Sequence, residues 1–233
     1  KAKRTAKDSF AEWIKGALGQ DVNTQTLFAC HIKRIHEYNR QLLNALHIVV
    51  LYNRLRDKPQ SDAPPRTFLF AGKAAPAYRL AKLVIKFIND LAATIDRDPA
   101  VRGRLKVLFL PDYCVSLAER LIPASDVSEQ ISTAGYEASG TSNMKFMMNG
   151  ALTIGTRDGA TIEMAEAVGE ENLFLFGLTA EQVDQSRGWY SPHWHYQNEP
   201  EIRAALDRIF SGHFGSAPGI GERVRDSPLT HGE

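Results

Sequence analysis

The sequence predicts an α/β fold built on a doubly wound parallel sheet. Short apolar segments rich in β-forming residues alternate with longer segments whose apolar residues recur at helical spacing. The short segments lack hairpin turn signals, and their nearly continuous apolar character is typical of strands covered by helices on both faces. We therefore expect a Rossmann-like sheet whose successive strands are joined by helices.

The individual elements follow from the same two patterns. The predicted strands are 26–32, 66–72, 105–112, 151–156 and 172–177. The predicted helices are 39–57, 78–95, 115–123, 160–169 and 179–188. Pro59 ends the first of these helices. Together these elements place a Rossmann-like domain at residues 21–188.

Both ends of the chain depart from this alternation. Residues 1–20 form an amphipathic stretch, and residues 189–233 are expected to be a C-terminal extension. Within the extension, 189–200 is rich in aromatic residues, and the Gly- and Pro-rich part at 211–233 is expected to be loose. The apolar residues of the amphipathic stretch are Phe10, Trp13, Ile14 and Leu18.

Composition bounds the class of protein. The chain has 233 residues, 43% of them hydrophobic, which is enough for a sizeable core. Its formal charge of +1 offers no global field for nucleic acid or an acidic membrane. No signal peptide and no run of about 18 apolar residues is present, so we expect no membrane span and a cytoplasmic protein. Cys30 and Cys114 lack metal-ligand spacing and are expected to be two buried thiols in a reducing compartment.

The segment "EASGTSNMKFMMNGALTIGT" (137–156) places Lys145 among methionines and a phenylalanine. The preceding "SGTSN" turn could cradle an anion such as phosphate, because Gly140 permits close backbone approach. Apolar neighbours would favour the neutral amine of Lys145, which can form an imine. The commoner alternatives are a lysine that snorkels to water and a turn that only caps a helix. The spacing alone leaves both interpretations open.

A second basic cluster, "HIKRIHEYNR" (31–40), follows the first predicted strand. Lys33 and Arg34 could bind a phosphate dianion, Arg34 through its bidentate fork and Lys33 as a point charge. A solvated surface turn is the commoner role for such residues. His36 and Glu37 are expected to be structural partners rather than an acid and a base.

Three further motifs do not indicate a functional site. "AGKAAPAY" (71–78) does not have the residue order of a P-loop, so Lys73 is expected to be structural. "HWH" (193–195) offers two histidines but no third metal ligand, and an aromatic surface turn is expected there. "GIG" (219–221) is too short to indicate a nucleotide site.

Six blocks nevertheless occur in a fixed order between about residues 27 and 177. They are "KRIHEY", "GKAAP", "LFLPDYCVSLAERLIPASDVSEQISTAG", "EASGTSNMKFMMNGALTIGT", "DGATIEMAEAVGEEN" and "FLFG". Together they resemble the carboxyl-terminal domain of the α-glucan phosphorylases, which act on glycogen, starch and maltodextrin. The resemblance implies one half of a GT-B type two-domain glycosyltransferase fold, with residues 21–188 as its cofactor-binding domain.

The resemblance also implies a cofactor and a set of roles. In that family the lysine matching Lys145 holds pyridoxal 5′-phosphate as a Schiff base. The other residues implied at the cofactor are Lys33 and Thr141 by its phosphate, Gly140 in the same turn, and Tyr113 in the pocket wall. The residues implied at the substrates are Arg34 for phosphate and Glu137, Ser139 and Gly140 for the glucose hydroxyls. Lys145, Arg34 and Lys33 are the implied catalytic residues.

The implied reaction is reversible phosphorolysis of an α-1,4-glucan. Inorganic phosphate displaces the chain from its terminal glucose and gives glucose 1-phosphate, while the cofactor's phosphate exchanges a proton with the substrate phosphate. Family members are several times longer and carry an amino-terminal domain that supplies the other half of the cleft. The fragment alone is therefore expected to be inactive, and a homodimer is compatible with the parent protein.

Three positions depart from the family pattern. Asn39 stands where a phosphate-binding lysine is usual, Ser142 replaces a glycine in "GTSNMK", and Thr161 replaces the usual asparagine of "DGATIE". These departures keep an alternative open: a non-catalytic carbohydrate- or nucleotide-binding α/β module derived from such an enzyme.

Overall fold

A six-stranded parallel sheet forms the centre of the protein in the computed structural model, which describes residues 1–215. Its spatial order is β3-β2-β1-β4-β5-β6, and every neighbouring pair is parallel. The strands are β1 Leu27–Ile32, β2 Arg66–Ala71, β3 Leu105–Leu110, β4 Val127–Gln130, β5 Leu152–Thr156 and β6 Phe174–Phe176. The order reverses beside β1, which confirms the predicted doubly wound fold.

Helices connect the strands and cover the sheet. They are α1 Ala2–Leu18, α2 Gln41–Asp57, α3 Arg79–Arg97, α4 Val115–Ala124, α5 Ser142–Met148, α6 Ala160–Val168, α7 Ala180–Ser186, α8 Pro192–Asn198 and α9 Pro200–Phe210. Within the described chain, no helix is long and apolar enough to cross a membrane.

Strand β4 was not predicted from the sequence, although it lies between β1 and β5. Its sequence, "VSEQ", contains three polar residues in a row, all of them buried: Ser128, Glu129 and Gln130. A buried polar strand carries neither the apolar run nor the alternation on which strand prediction depends. Pairing with strands on both sides therefore decides the conformation of this segment.

Two hydrophobic cores lie on opposite faces of the sheet. Because side chains alternate along a strand, Phe68 of β2 points into one core and Leu69 into the other. Helices α2, α3 and α9 close the first core, and α1, α4 and α5 close the second.

Helix α1, which covers most of the amphipathic stretch, is fixed to the sheet by charge as well as by apolar packing. Lys7 is 6% exposed, and its Nζ donates to Asp126 Oδ2 at 2.5 Å and to the Thr26 carbonyl at 2.7 Å. The same Asp126 oxygen accepts the Phe28 N–H at 2.8 Å. Removing either partner of such a buried pair would leave an uncompensated charge.

The last described segment also packs on the sheet. Ala205, Leu206 and Ile209 of α9 belong to the first core, and the Phe214 ring lies 5.4 Å from that of Tyr52. The "GIG" motif and most of the segment expected to be loose fall at 216–233, outside the described residues.

Glu129 of β4 is a buried acid whose ionisation opposes folding. Its side chain lines a second cavity of about 500 Å³ beside α2 and β6, together with Arg66 and His47. Burial raises the pKa of Glu129 to about 7, and the nearby Arg66 offsets this only in part. Burial also lowers the pKa of His47 to about 4, so this histidine stays neutral at physiological pH.

Replacing Glu129 by glutamine should stabilise the protein at pH 8 but not near pH 4.5. The folded carboxyl holds its proton up to a pKa of about 7, whereas the ordinary pKa of a glutamate is 4.5. The folded wild type therefore loses stability as pH rises between these values, by about 3 kcal/mol in total. Urea unfolding at the two pH values measures the difference. The matched control is Glu163→Gln on the exposed side of α6, and equal pH dependence in both variants would contradict the assignment.

Candidate functional site

A cavity of about 860 Å³ opens at the carboxyl ends of the strands, beside the point where the strand order reverses. This is where doubly wound sheets bind ligands. Its walls come from the loops after β1, β3 and β4, and from helices α4 and α5. Seven of the eight predicted site residues line it: Lys33, Arg34, Tyr113, Glu137, Gly140, Thr141 and Lys145.

The eighth predicted residue, Ser139, lies in the same loop but does not line the cavity. Its hydroxyl donates to the Gly140 carbonyl at 3.1 Å, and its own carbonyl accepts the Ala160 N–H at 2.6 Å. Ser139 thus connects the loop to the start of α6.

Lys33 forms an ion pair inside the cavity. Its Nζ donates to Glu137 Oε2 at 2.7 Å, and the two side chains are 8% and 20% exposed. The pair joins the loop after β1 to the loop after β4. Two loops far apart in sequence therefore meet through opposite charges.

Arg34 is exposed, but its backbone is held firmly. Its carbonyl accepts hydrogen bonds from Asn39 Nδ2 and Gln41 Nε2, both at 2.9 Å. Asn39 lines the cavity, is 2% exposed, and has no partner for its Oδ1 among residues 1–215. The side chain that departs from the family pattern is thus used to hold the Arg34 loop.

Lys145 lies on the exposed side of α5. The helix buries Asn143 and Phe146 and leaves Lys145 exposed beside the cavity, with no hydrogen bond or ion pair for its Nζ in the described part of the chain. The expectation that apolar neighbours desolvate it was wrong. The neighbouring methionines are also open to water, since Met144 is 39% exposed and Met148 is 86% exposed.

Asp158, which the sequence analysis did not single out, organises the loop after β4. Its buried carboxylate accepts hydrogen bonds from Ser132 Oγ at 2.6 Å, from Gly135 N at 2.9 Å and from Glu137 N at 3.0 Å. It thereby fixes the backbone of Glu137. The available signal was an aspartate two residues after the end of a predicted strand and directly before a glycine.

Two glycines allow the loops around the cavity to approach each other. Gly159 has φ 50, and a Cβ there would lie 2.5 Å from the Ser139 carbonyl oxygen. A Cβ on Gly72 would lie 1.9 Å from the Lys33 carbonyl oxygen. The next residue, Lys73, is exposed and contributes its carbonyl to Ile35 N at 3.1 Å, which is consistent with the structural role predicted for it.

The two cysteines differ, although both were expected to be buried. Cys30 is buried and free, and burial raises its pKa to about 12. Cys114 is free but exposed, because it lies at the N-cap of α4 on the cavity wall. A hydrogen bond with the Ser116 hydroxyl lowers its pKa. The expectation was therefore wrong for Cys114.

His36 and Glu37 are connected through a third residue. The Tyr78 hydroxyl donates to Glu37 Oε2 at 2.5 Å, and its ring centroid lies 5.0 Å from that of His36.

Among residues 1–215, no group of three or more His, Cys, Asp or Glu side chains could hold a metal ion, and this includes the histidines at 193–195.

The charged side chains that line the cavity leave an excess of positive charge. Three cationic side chains, Lys33, Arg34 and Lys145, face two acids, Glu119 and Glu137, and Glu137 is already paired. The remaining positive charge favours an anionic ligand. Burial raises the pKa of Tyr113, so its hydroxyl stays protonated at neutral pH.

Comparison with known proteins gives a consistent result. The chain is 54% identical over 210 residues to a glycogen phosphorylase of Chlamydia pneumoniae, which covers 90% of this chain and 26% of that protein. It is 53% identical over 213 residues to the brain form from Ovis aries, covering 91% and 25%. It is 51% identical over 216 residues to the muscle form from Oryctolagus cuniculus, covering 92% and 26%.

The chain thus spans about a quarter of the length of the curated relatives it matches. The sequence profile of the family described as carbohydrate phosphorylase matches residues 1–232. This match and the cavity at the switch point of the sheet lead to one assignment: the chain belongs to the carbohydrate phosphorylase family.

Proposed function

We propose that this chain is the cofactor-binding half of an α-glucan phosphorylase. It binds pyridoxal 5′-phosphate in the cavity and, within a whole parent protein, takes part in the phosphorolysis of α-1,4-glucan to glucose 1-phosphate. The observation that carries the proposal is the meeting of seven predicted site residues from separate loops in one cavity. The glycogen phosphorylases among its relatives support the choice of substrate.

The residues present fit this cofactor. The cavity of about 860 Å³ is within the usual range for small-molecule sites. Lysine amines form Schiff bases with carbonyl ligands, and the Lys145 amine has no hydrogen bond or ion pair in the described chain that would compete with such a ligand. Lys33 and the Gly140–Thr141 backbone are suited to hold the cofactor phosphate, and Tyr113 forms a wall.

When bound, the cofactor supplies a phosphate that exchanges a proton with the substrate phosphate. Arg34 binds the substrate phosphate through its guanidinium, and Asn39 keeps the backbone of that arginine in place. Lys33 reduces the repulsion between two phosphates held close together. Glu137 and the Ser139–Gly140 turn bind the glucose hydroxyls.

The proposal extends to the surroundings of this site. An amino-terminal domain of the parent protein forms the opposite wall of the cleft, the location is cytoplasmic, and the parent can form a homodimer. Residues 21–188 serve as the cofactor-binding domain.

A second candidate, a non-catalytic carbohydrate- or nucleotide-binding module, is favoured by one observation. The Asn39 amide is occupied by the Arg34 carbonyl, so this position provides no cation for a second phosphate. Turnover in a full-length parent protein separates the two candidates.

Pyridoxal phosphate should become attached to Lys145 in preference to the other lysines. The reason is the location of this amine beside three groups suited to hold the cofactor's phosphate and ring. Incubation with pyridoxal phosphate, reduction with borohydride and peptide mapping would locate the attachment. Lys145→Gln should abolish the specific label, and Lys58→Gln, on the exposed end of α2, should not. A label spread over surface lysines with Lys145 unmodified would refute the assignment.

The 233-residue chain alone should not release glucose 1-phosphate from glycogen and phosphate. Phosphorolysis needs a cleft closed on both sides to exclude water and to orient the sugar. A coupled assay for glucose 1-phosphate, with a complete glycogen phosphorylase as positive control, measures this. Phosphate-dependent release by the purified chain would show that one wall is sufficient.

Asn39→Lys in a full-length parent protein should lower the KM for phosphate. A lysine adds a charge-assisted bond beside two repelling phosphates, with a gain on the order of 1 to 3 kcal/mol. Gln41 still holds the Arg34 carbonyl in this variant. Initial rates at varied phosphate provide the measurement, with Asn39→Gln as the uncharged control.

Arg34→Ala should raise the same KM. If Asn39→Lys leaves the phosphate kinetics unchanged while Arg34→Ala abolishes activity, position 39 does not face the phosphate.

A further inference from the structure

The ion pair between Lys33 and Glu137 connects the two halves of the cavity. The loop after β1 contributes Lys33, and the loop after β4 contributes Glu137. Both side chains are largely buried, at 8% and 20% exposed, and Nζ lies 2.7 Å from Oε2. In the described chain, this carboxylate is the partner of the Lys33 ammonium.

The pair is held in place by the backbone on the Glu137 side. The Asp158 carboxylate accepts a hydrogen bond from the Glu137 N–H at 3.0 Å. This bond limits the positions that the Glu137 carboxylate can reach. Lys33 Nζ also lies directly beside the next part of the same loop, since a Cβ on Gly140 would be 3.5 Å from it. The ammonium is therefore adjacent to both the acid and the turn that the cofactor phosphate would contact.

Each member of the pair has a second task under the proposed function, on which this inference rests. An anion in the cavity competes with Glu137 for the Lys33 ammonium. A partly buried carboxylate that loses its cation is destabilised, and it also repels the anion. A sugar that donates hydroxyl hydrogen bonds to Glu137 would offset this loss.

We infer that the Lys33–Glu137 pair couples the two ligands of this cavity, so that a phosphate-bearing ligand and a polyol each increase the affinity for the other. Without a sugar, Glu137 lowers the affinity for the anion. With a sugar on Glu137, Lys33 is released to the anion. The coupling is reciprocal because both ligands act on one equilibrium, that of the ion pair.

The probe is pyridoxine 5′-phosphate, which has the ring and phosphate of the proposed cofactor but no aldehyde to react with Lys145. Calorimetric titration of the 233-residue chain gives its affinity with and without glucose. Glu137→Gln should bind the probe more tightly, by about tenfold, and glucose should no longer increase its affinity. Wild type should bind the probe more tightly when glucose is present.

Glu119→Gln is the matched control, because Glu119 lines the same cavity, carries the same charge and forms no ion pair with Lys33. It should leave the glucose effect intact and change the probe affinity less than Glu137→Gln does. Equal effects of the two variants, or a glucose effect that survives Glu137→Gln, would overturn the coupling.

A double-mutant cycle keeps the test decisive if Glu137→Gln perturbs folding. In a Lys33→Gln background, Glu137→Gln should change the probe affinity no more than Glu119→Gln does. A full Glu137→Gln effect in that background would overturn the inference. Failure of the proposed function gives a different result: the probe then does not bind, or binds without dependence on Lys33, and both proposals are refuted. Probe binding that depends on Lys33 but not on Glu137 overturns the coupling alone.

Discussion

The reversal of strand order beside β1 is the constraint on which the rest of the site depends. Because β2 lies on one side of β1 and β4 on the other, the connections that leave β1 and β4 diverge and open a crevice at the carboxyl edge. The loop after β1 forms one wall of this crevice, and the loop after β4 forms the other. The Lys33–Glu137 pair then joins the two walls.

The conformations of the loops around the crevice are set by contacts within the protein. Asp158 fixes three points of the loop after β4, and Gly159 allows the backbone to pass close to Ser139. On the other wall, Asn39 and Gln41 hold the Arg34 carbonyl. Hydrogen bonds of this kind between buried groups favour one conformation of each loop, so the protein's own contacts set the shape of the cavity.

The sequence was sufficient to predict the layered fold, because five strands are apolar runs separated by segments with helical periodicity. It was insufficient for β4, whose polar residues Ser128, Glu129 and Gln130 are buried by pairing on both sides. Eight site residues could be named because their motifs resemble those of the α-glucan phosphorylases, and seven of them line the cavity. The Lys33–Glu137 contact, the hydrogen bonds of Asp158 and the exposure of Cys114 depend on how distant loops meet, which local patterns do not encode.

The exposure of Lys145 connects this chain to the larger proteins it resembles. Charged and hydrogen-bonding groups line the cavity, but on α5 the side chains of Lys145, Met144 and Met148 are exposed to water. Electrostatic control of phosphate chemistry requires a water-poor site, where each charge interacts more strongly. The relatives are about four times as long as the matched region, which is 26% of the Chlamydia pneumoniae protein. Under the proposed function, a wall from the amino-terminal domain of the parent protein would exclude water, while the residues of this chain position the charges.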